Sequence, residues 1–210
     1  MESPGNNHSL PHALTDLIDA FSALPGVGRK TAERYAYACL KGDKAKSLRL
    51  ASCLEALHNG VKRCPITFAL IDSSDNVSPL YDSPTRDKTT VAVVEDPFDV
   101  LAIEATGQFT GTYHVLGGVI SPIDGVGPEE LHIPELIERI KNDQVQEVIL
   151  ATNASVEGES TALYIQKQLD EANIADLSIS RLARGIPIGV DLEYADKITL
   201  GHALSGRKKL

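Results

Sequence analysis

The sequence predicts an α/β protein in which a short helical region precedes a parallel β-sheet with helices on both faces. Between residues 14 and 58, apolar side chains recur at helical spacing. From Thr89 onward, short apolar runs of strand length alternate with segments of helical length. Alternating strand–helix units are typical of a parallel sheet whose crossover helices cover both of its faces.

Three helices are predicted in the first part of the chain, after an arm of thirteen residues rich in Asn, His, Pro and Ser. The first helix begins near Leu14 and ends at the glycine-rich turn LPGVG, residues 24–28. The second starts at Arg29, and the third covers about residues 44–58.

Four strands and three helices are predicted in the second part. The strands are residues 89–96, 113–120, 147–153 and 176–183, and the helices are residues 97–107, 134–142 and 158–172. Residues 64–88 contain three prolines and show weak periodicity, which is typical of a domain boundary. We therefore divide the chain into residues 1–63, 64–88, 89–176 and 177–210.

The charge is unevenly distributed over a chain whose net charge is −9. Residues 1–63 hold nine Lys and Arg against six Asp and Glu, and residues 24–49 hold seven basic side chains against two acidic ones. Such a local basic patch can attract nucleic-acid phosphates even on an acidic protein. No apolar run reaches the length of about 20 residues that spans a bilayer, and the three cysteines form no close pair. We expect a cytoplasmic protein without membrane partners.

The turn at residues 24–28 and the helix after it have the composition of a DNA-backbone contact. Gly26 and Gly28 allow close approach to a phosphate, and a helix N-terminus adds partial positive charge. Arg29, Lys30 and Arg34 surround that point with full charges. The alternative is a helical hairpin in which the glycines only change the chain direction.

The third predicted strand ends where a divalent metal could be held. Glu157 and Glu159 stand where the next helix begins, but the positions closest to the strand end are the neutral Asn153 and Ser155. Hard cations prefer several oxygen ligands, of which carboxylates are the strongest. The pattern is therefore that of a metal site with its central charges removed.

Six stretches together resemble the bacterial recombination mediator family RecR over almost the whole chain from Leu14. They are LPGVGRKTAERYA, PTRD, VVEDPFDVLAIEATGQFTGTYHVLGG, SPIDGVGPEEL, EVILATNASVEGESTALYI and LEYADKITLGHALSGRKKL. The resemblance implies an N-terminal helix-hairpin-helix region, a small zinc-finger segment, a Toprim-like parallel-sheet α/β domain and a C-terminal segment.

The resemblance also implies how the protein works. RecR proteins form tetrameric rings wide enough for duplex DNA. They act with RecO, and in some pathways with RecF, to load the recombinase RecA on single strands. We expect double-stranded DNA as a partner, and single-stranded DNA as a further one. We also expect RecO, joined in some pathways by RecF, and further copies of this chain in a homotetramer. The expected location is nucleoid-associated. A monomeric DNA-binding adaptor is the weaker alternative, because composition and periodicity carry no information on oligomeric state.

The zinc-finger segment departs from the family pattern of two Cys-x-x-Cys pairs. Cys64 matches the first ligand, but Thr67, Ser78 and Tyr81 occupy the other three positions. A structural zinc site needs four nitrogen or sulfur ligands. We therefore expect no zinc and no other cofactor. We expect this segment to fold through its apolar side chains, which are Ile66, Phe68, Leu70, Val77, Leu80 and Tyr81.

The Toprim resemblance also bears on catalysis. Glu95 matches the first carboxylate of catalytic Toprim proteins and Glu157 the last, while Asn153 and Ser155 replace two aspartates. Metal-assisted phosphoryl chemistry needs that charge cluster, so we expect no metal site and no catalysis. The alternative is a metal-dependent enzyme acting on DNA, a nuclease or a primase-like protein.

An acidic cleft is the use that we expect for the remaining carboxylates, Glu95, Asp96, Glu157 and Glu159. It would receive a basic partner, for which the resemblance suggests RecO. The alternative is that Glu157 and Glu159 only complement the dipole of the helix that they begin.

Overall fold

A computed structural model describes residues 10–207, which fall into two compact units. The first ends at Gly60 and the second begins at Val61. Most of the predicted N-terminal arm, and Lys208 and Lys209 of the basic tail, lie outside the described residues.

The first unit consists of helices α1 (His12–Ser22), α2 (Arg29–Lys41) and α3 (Lys44–Gly60), as the apolar spacing predicts. Helices α1 and α2 pack around Ile18, Ala32 and Ala36. The two alanines leave room for a close approach of the helices, and the Phe21 and Tyr35 rings meet edge to face. Helix α3 buries none of its residues in this unit.

The second unit contains a parallel sheet of four strands, β3 (Asp87–Val94), β4 (Gly111–Val115), β5 (Glu147–Leu150) and β6 (Ser178–Arg181), in the order β4-β3-β5-β6. These are the four predicted strands, but each ends at least two residues earlier than predicted. After β4 the chain turns at Gly117 and Gly118, both with positive φ. This conformation excludes regular strand geometry.

Helices cover both faces of the sheet. Helices α6 (Ile133–Asn142) and α7 (Val156–Glu171) pack on one face, and α5 (Pro97–Glu104) packs on the other. Along β3 the side chains alternate, so that Val91 and Val93 belong to the first core while Ala92 and Val94 belong to the second.

Residues 61–88 are packed onto the α5 face of the same unit. They contain the antiparallel pair β1 (Val61–Arg63) and β2 (Leu70–Asp72) and the one-turn helix α4 (Pro79–Asp82). Phe68, Ala69 and Leu80 join the core of that face. The expectation for Leu70 is wrong, because Leu70 is exposed and its neighbour Ile71 is buried. Alternate residues of a strand point to opposite sides.

After β6 the chain continues through an irregular segment and a 3₁₀ turn at Leu192–Tyr194 to helix α8 (Lys197–Ser205). Within residues 10–207, every helix is too short or too polar to cross a bilayer.

Candidate functional site

The five predicted DNA-binding residues lie in the turn between α1 and α2 and in the first two turns of α2. Gly26 has a φ of 76°, in the left-handed region that side chains disfavour. Gly28 is the N-cap of α2, and no side chain caps this helix end. A Cβ atom at either glycine would meet no heavy atom within 4 Å, so the backbone here is open to an approaching group.

The three basic residues at this turn are exposed, but their charges are not equally available. The Arg29 guanidinium lies 3.1 Å from the Asp19 carboxylate and 3.6 Å from that of Glu33. Within residues 10–207, Lys30 and Arg34 form no ion pair. They are four residues apart on α2 and therefore neighbours on one face. Their cationic groups are the ones that a phosphate would meet unopposed.

At the carboxyl edge of the sheet, Glu95 is held by Asn153. Its Oε1 accepts a hydrogen bond from the backbone N–H of Asn153, and its Oε2 accepts one from the Asn153 side-chain amide, both at 2.7 Å. Glu95 is only 9% exposed. The sequence shows that residue 153 is neutral, but only the structure shows that its backbone N–H and its side-chain amide together occupy both oxygens of the Glu95 carboxylate.

This pairing does not fit a hard cation. A Mg²⁺ ion needs oxygen atoms directed at it, whereas Asn153 directs N–H groups toward Glu95. Ser155 does not supply the missing charge, because its hydroxyl oxygen caps α7 by accepting the Gly158 N–H at 3.0 Å. In the part of the chain that is described, no three His, Cys, Asp or Glu side chains are grouped as a metal site.

Gly158 is a site residue that the sequence analysis missed. A Cβ atom there would lie 2.3 Å from the Asn153 carbonyl oxygen and 2.7 Å from Glu95 Oε1. Only glycine therefore allows α7 to start so close to Glu95. A glycine in the first turn of a long helix is costly for helix formation, and that is the signal which could have identified it.

The other acidic residues of the predicted cleft have different roles. Asp96 is exposed and caps α5 by accepting the Phe98 N–H at 2.9 Å. Glu157 is half-buried, and its carboxylate has no hydrogen-bond or ion-pair partner within residues 10–207. Asp96 and Glu157 are thus the two with carboxylate oxygens left for another molecule.

Glu159 is already paired with two arginines. Its carboxylate contacts the guanidinium of Arg184 and lies 2.7 Å from that of Arg181. This pairing ties the segment after β6 to α7. The sequence analysis missed both arginines, because residues 22 and 25 positions apart give no local signal. Arg181 and Arg184 also line a cavity of about 300 Å³ between α5 and the ends of β5 and β6.

The arginine of the PTRD stretch has a structural role between the end of α5 and the start of β4. Arg86 donates to the Glu104 carboxylate and to the carbonyl oxygens of Phe109 and Gly111. Its hydrogen bond to Glu104 lowers the pKa of that carboxyl group, and burial together with the Glu104 contact raises the pKa of Tyr113. Together these contacts hold α5 against the start of β4.

Three family models match successive parts of the chain. A RecR helix-hairpin-helix model matches residues 14–58, a Toprim domain model matches residues 89–183, and a RecR C-terminal model matches residues 185–208. The first covers all but the outer ends of α1 and α3, and the second covers the parallel sheet except for the first two residues of β3.

Curated relatives match over nearly the full length of both proteins. The chain is 46% identical to the recombination protein RecR of Treponema denticola over 198 residues, which cover 94% of this chain and 99% of the relative. It is 47% identical to the RecR proteins of Cutibacterium acnes and Chloroherpeton thalassium. These alignments cover 92% and 95% of this chain and 94% and 98% of the relatives. With two RecR family models matched and this degree of identity over nearly the full length, the chain belongs to the RecR family of recombination proteins.

Proposed function

We propose that this protein is a recombination mediator in DNA repair that binds DNA as a ring-like clamp. With RecO, and in some pathways RecF, it helps to load the recombinase RecA, and it performs no chemistry itself. The observation that carries the proposal is the near full-length identity to proteins named recombination protein RecR. A cytoplasmic, nucleoid-associated location belongs to the same proposal.

The α1–α2 hairpin is the proposed DNA contact. Gly26 and Gly28 leave the backbone open, and Lys30 and Arg34 provide two unopposed charges on one helix face. Arg29 contributes when a phosphate competes with Asp19, since that ion pair is exposed and therefore weak. These groups recognise phosphates, which double and single strands share, so the contact would position DNA without reading its sequence.

The acidic carboxyl edge of the sheet is the proposed surface for RecO. Of its four predicted residues, Asp96 and Glu157 have free carboxylate oxygens and would meet a basic partner first. Glu159 would have to exchange Arg181 and Arg184 for the partner's cations. Glu95 would act indirectly, because its bonds to Asn153 fix the start of α7 next to Glu157.

Self-association is supported by exposed apolar side chains on two helical regions. Leu48, Leu54 and Leu57 on α3 are each more than half exposed, and so are Tyr194 and Ile198 near the C-terminus. Leu54 and Leu57 are three residues apart on α3 and are therefore neighbours on one face, and exposed apolar side chains that adjoin one another are typical of an interface. Four copies closing into a ring would bury such surfaces by symmetry.

The absence of catalysis is proposed from the chemistry of the Glu95 site. Its carboxylate is occupied by two N–H groups, which leaves no cluster of charged oxygens for a metal-assisted reaction. The rival is a nuclease or primase-like enzyme, for which the Toprim match is the favouring observation.

One gel tests these proposals together. Purified protein is incubated with supercoiled plasmid, with and without Mg²⁺ or Mn²⁺, and samples are run both native and deproteinised. We expect a retarded plasmid in the native lanes and an unchanged plasmid after deproteinisation. RecO added to the same mixture would increase retardation if it assists loading.

Two outcomes would contradict the proposal. Plasmid that is nicked or relaxed by the wild type, but not by a Glu95→Ala variant, would identify an enzyme. If the plasmid is retarded neither with RecO nor without it, the protein does not bind DNA as a clamp.

A further inference from the structure

The segment at residues 61–88 lacks the donors of the zinc site that the family resemblance implies. Cys64 is fully buried, and its Sγ accepts the backbone N–H groups of Thr67 at 3.4 Å and Ser78 at 3.3 Å. Burial opposes formation of the thiolate, but hydrogen bonds from Thr67, through its side chain and its backbone, and from the backbone of Ile66 and Ser78 together outweigh it and lower the pKa of Cys64. The Cys64 sulfur thus accepts backbone N–H groups at two of the three positions where the family pattern has further zinc ligands.

The side chains at the other three positions are committed to protein partners. The Ser78 hydroxyl oxygen accepts the Leu80 N–H at 3.3 Å, and that of Thr67 accepts the Ala69 N–H at 3.4 Å. The Tyr81 hydroxyl donates to Asp143 Oδ1 at 3.0 Å. One thiol and three engaged hydroxyl groups do not fit tetrahedral zinc, which takes sulfur, imidazole or carboxylate ligands.

Asp143 connects Tyr81 to a buried arginine. Arg139 is 5% exposed, and its Nε donates to Asp143 Oδ2 at 3.1 Å. Its Nη1 donates to the Tyr113 carbonyl oxygen and its Nη2 to the Thr112 hydroxyl oxygen, both at 2.6 Å. A buried charge is tolerated only when it is paired and hydrogen-bonded in this way. The network therefore joins α4, the end of α6 and the edge strand β4.

Further contacts hold the segment against the sheet. The Lys88 ammonium lies 4.1 Å from the centre of the Tyr81 ring, and the Arg139 guanidinium lies 5.1 Å from it. The Thr67 carbonyl oxygen accepts the Val115 N–H at 2.8 Å. Phe68 has a φ of 58°, unusual for a residue with a side chain, and its ring stacks on His132 at 3.7 Å.

We propose that residues 61–88 of this chain fold without a metal, held by a polar staple made of Cys64, Tyr81, Asp143 and Arg139. Cys64 organises the inside of the segment, and the other three fasten it to the sheet. An isolated zinc finger depends on its ion because it has little core of its own. This segment instead places Phe68, Ala69 and Leu80 in the core of the neighbouring sheet face. A recombination protein built in this way keeps its fold when zinc is scarce.

Metal content and thermal unfolding of the full-length protein test the proposal. Protein expressed with added zinc is analysed for metal after gel filtration, and is then melted with and without excess EDTA. We expect zinc far below one equivalent per chain and the same Tm in both samples. One equivalent of zinc per chain, or a Tm lowered by several degrees in EDTA, would overturn the proposal.

A matched pair of tyrosine variants tests the staple itself. Tyr81→Phe keeps the ring and removes only the hydroxyl bonded to Asp143. Tyr164→Phe removes a hydroxyl that has no hydrogen-bond partner within residues 10–207. We expect Tyr81→Phe to lower the Tm by about 3–6 °C and Tyr164→Phe to leave it unchanged. Equal Tm values for the two variants would show that the staple does not hold the segment.

Discussion

At the scale of single residues, the pairing of Asn153 with Glu95 occupies both oxygens of that carboxylate with N–H donors and leaves neither directed at a metal ion. Asn153→Asp would replace an N–H donor by a second carboxylate facing Glu95. We expect the free energy of unfolding to fall by about 1–3 kcal/mol without divalent ions, because one hydrogen bond becomes a repulsion. Millimolar Mg²⁺ should restore part of this loss in the variant and leave the wild type unchanged. Urea unfolding with and without Mg²⁺ measures both effects.

Asn173→Asp is the control, because it adds the same charge at an exposed position after α7. Stabilisation of the wild type by Mg²⁺ to the same extent as the variant would contradict the argument from Asn153.

His114 provides a second prediction at this scale. Burial lowers its pKa to about 3, although its Nε2 is 2.7 Å from the His132 carbonyl oxygen, a contact that raises the pKa. In the unfolded chain the pKa returns to its ordinary value of about 6.5. Above pH 6.5, His114 is neutral in both the folded and the unfolded chain and does not change the free energy of unfolding. As the pH falls from 6.5 toward 3, only the unfolded chain takes up the proton, and the free energy of unfolding decreases by up to about 1.4 kcal/mol per pH unit.

Urea unfolding between pH 7 and 5 measures this slope, and His114→Gln, which can still donate to the His132 carbonyl, is the comparison. The loss of stability with acidification should be smaller in the variant. Parallel slopes for the two proteins would assign the acid sensitivity to other groups.

At the scale of elements, the α1–α2 hairpin should account for much of the affinity for DNA. Replacing Arg29, Lys30 and Arg34 with Ala should weaken binding and reduce the salt dependence of log K by roughly one unit per lost phosphate contact. Fluorescence anisotropy with a labelled duplex across a salt series measures both quantities. The loss should be similar for different duplex sequences, because backbone contacts carry no base specificity.

The control replaces Lys141, Lys167 and Lys197, three exposed lysines of the second unit, with Ala. The net charge changes equally in the two triple variants. If both lose the same affinity and slope, general charge explains binding and the hairpin is not the DNA contact.

At the scale of the whole molecule, the exposed apolar side chains of α3 and of the region near the C-terminus should be covered by other copies of the chain. Four chains of 22.5 kDa give a mass of about 90 kDa, which sedimentation or light scattering measures. Introducing Glu at Leu54 and Leu57 would place charges on the apolar surface of α3 and should lower this mass. Leu163→Glu, at an exposed position of α7, is the control. A wild-type mass of one chain would favour the monomeric adaptor instead.

Local patterns are what the sequence made predictable. The apolar runs around Val91 and Val148 identify buried strands, and the spacing of Leu14, Leu17 and Ile18 identifies α1. The Gly-x-Gly turn and the basic residues after it are also local, because a few consecutive residues form the whole feature. The sequence also shows directly that position 153 holds a neutral Asn and not an Asp.

The sequence by itself therefore determined the family, the order of helices and strands, and the loss of charges and thiols at two sites. Only the tertiary structure decided what replaced them. It brings Asn153 onto Glu95, Tyr81 onto Asp143, and Arg184 onto Glu159, pairs that are 58, 62 and 25 residues apart. A hydrogen bond depends on distance in space, and the packing of helices on a sheet sets that distance for residues far apart in the chain.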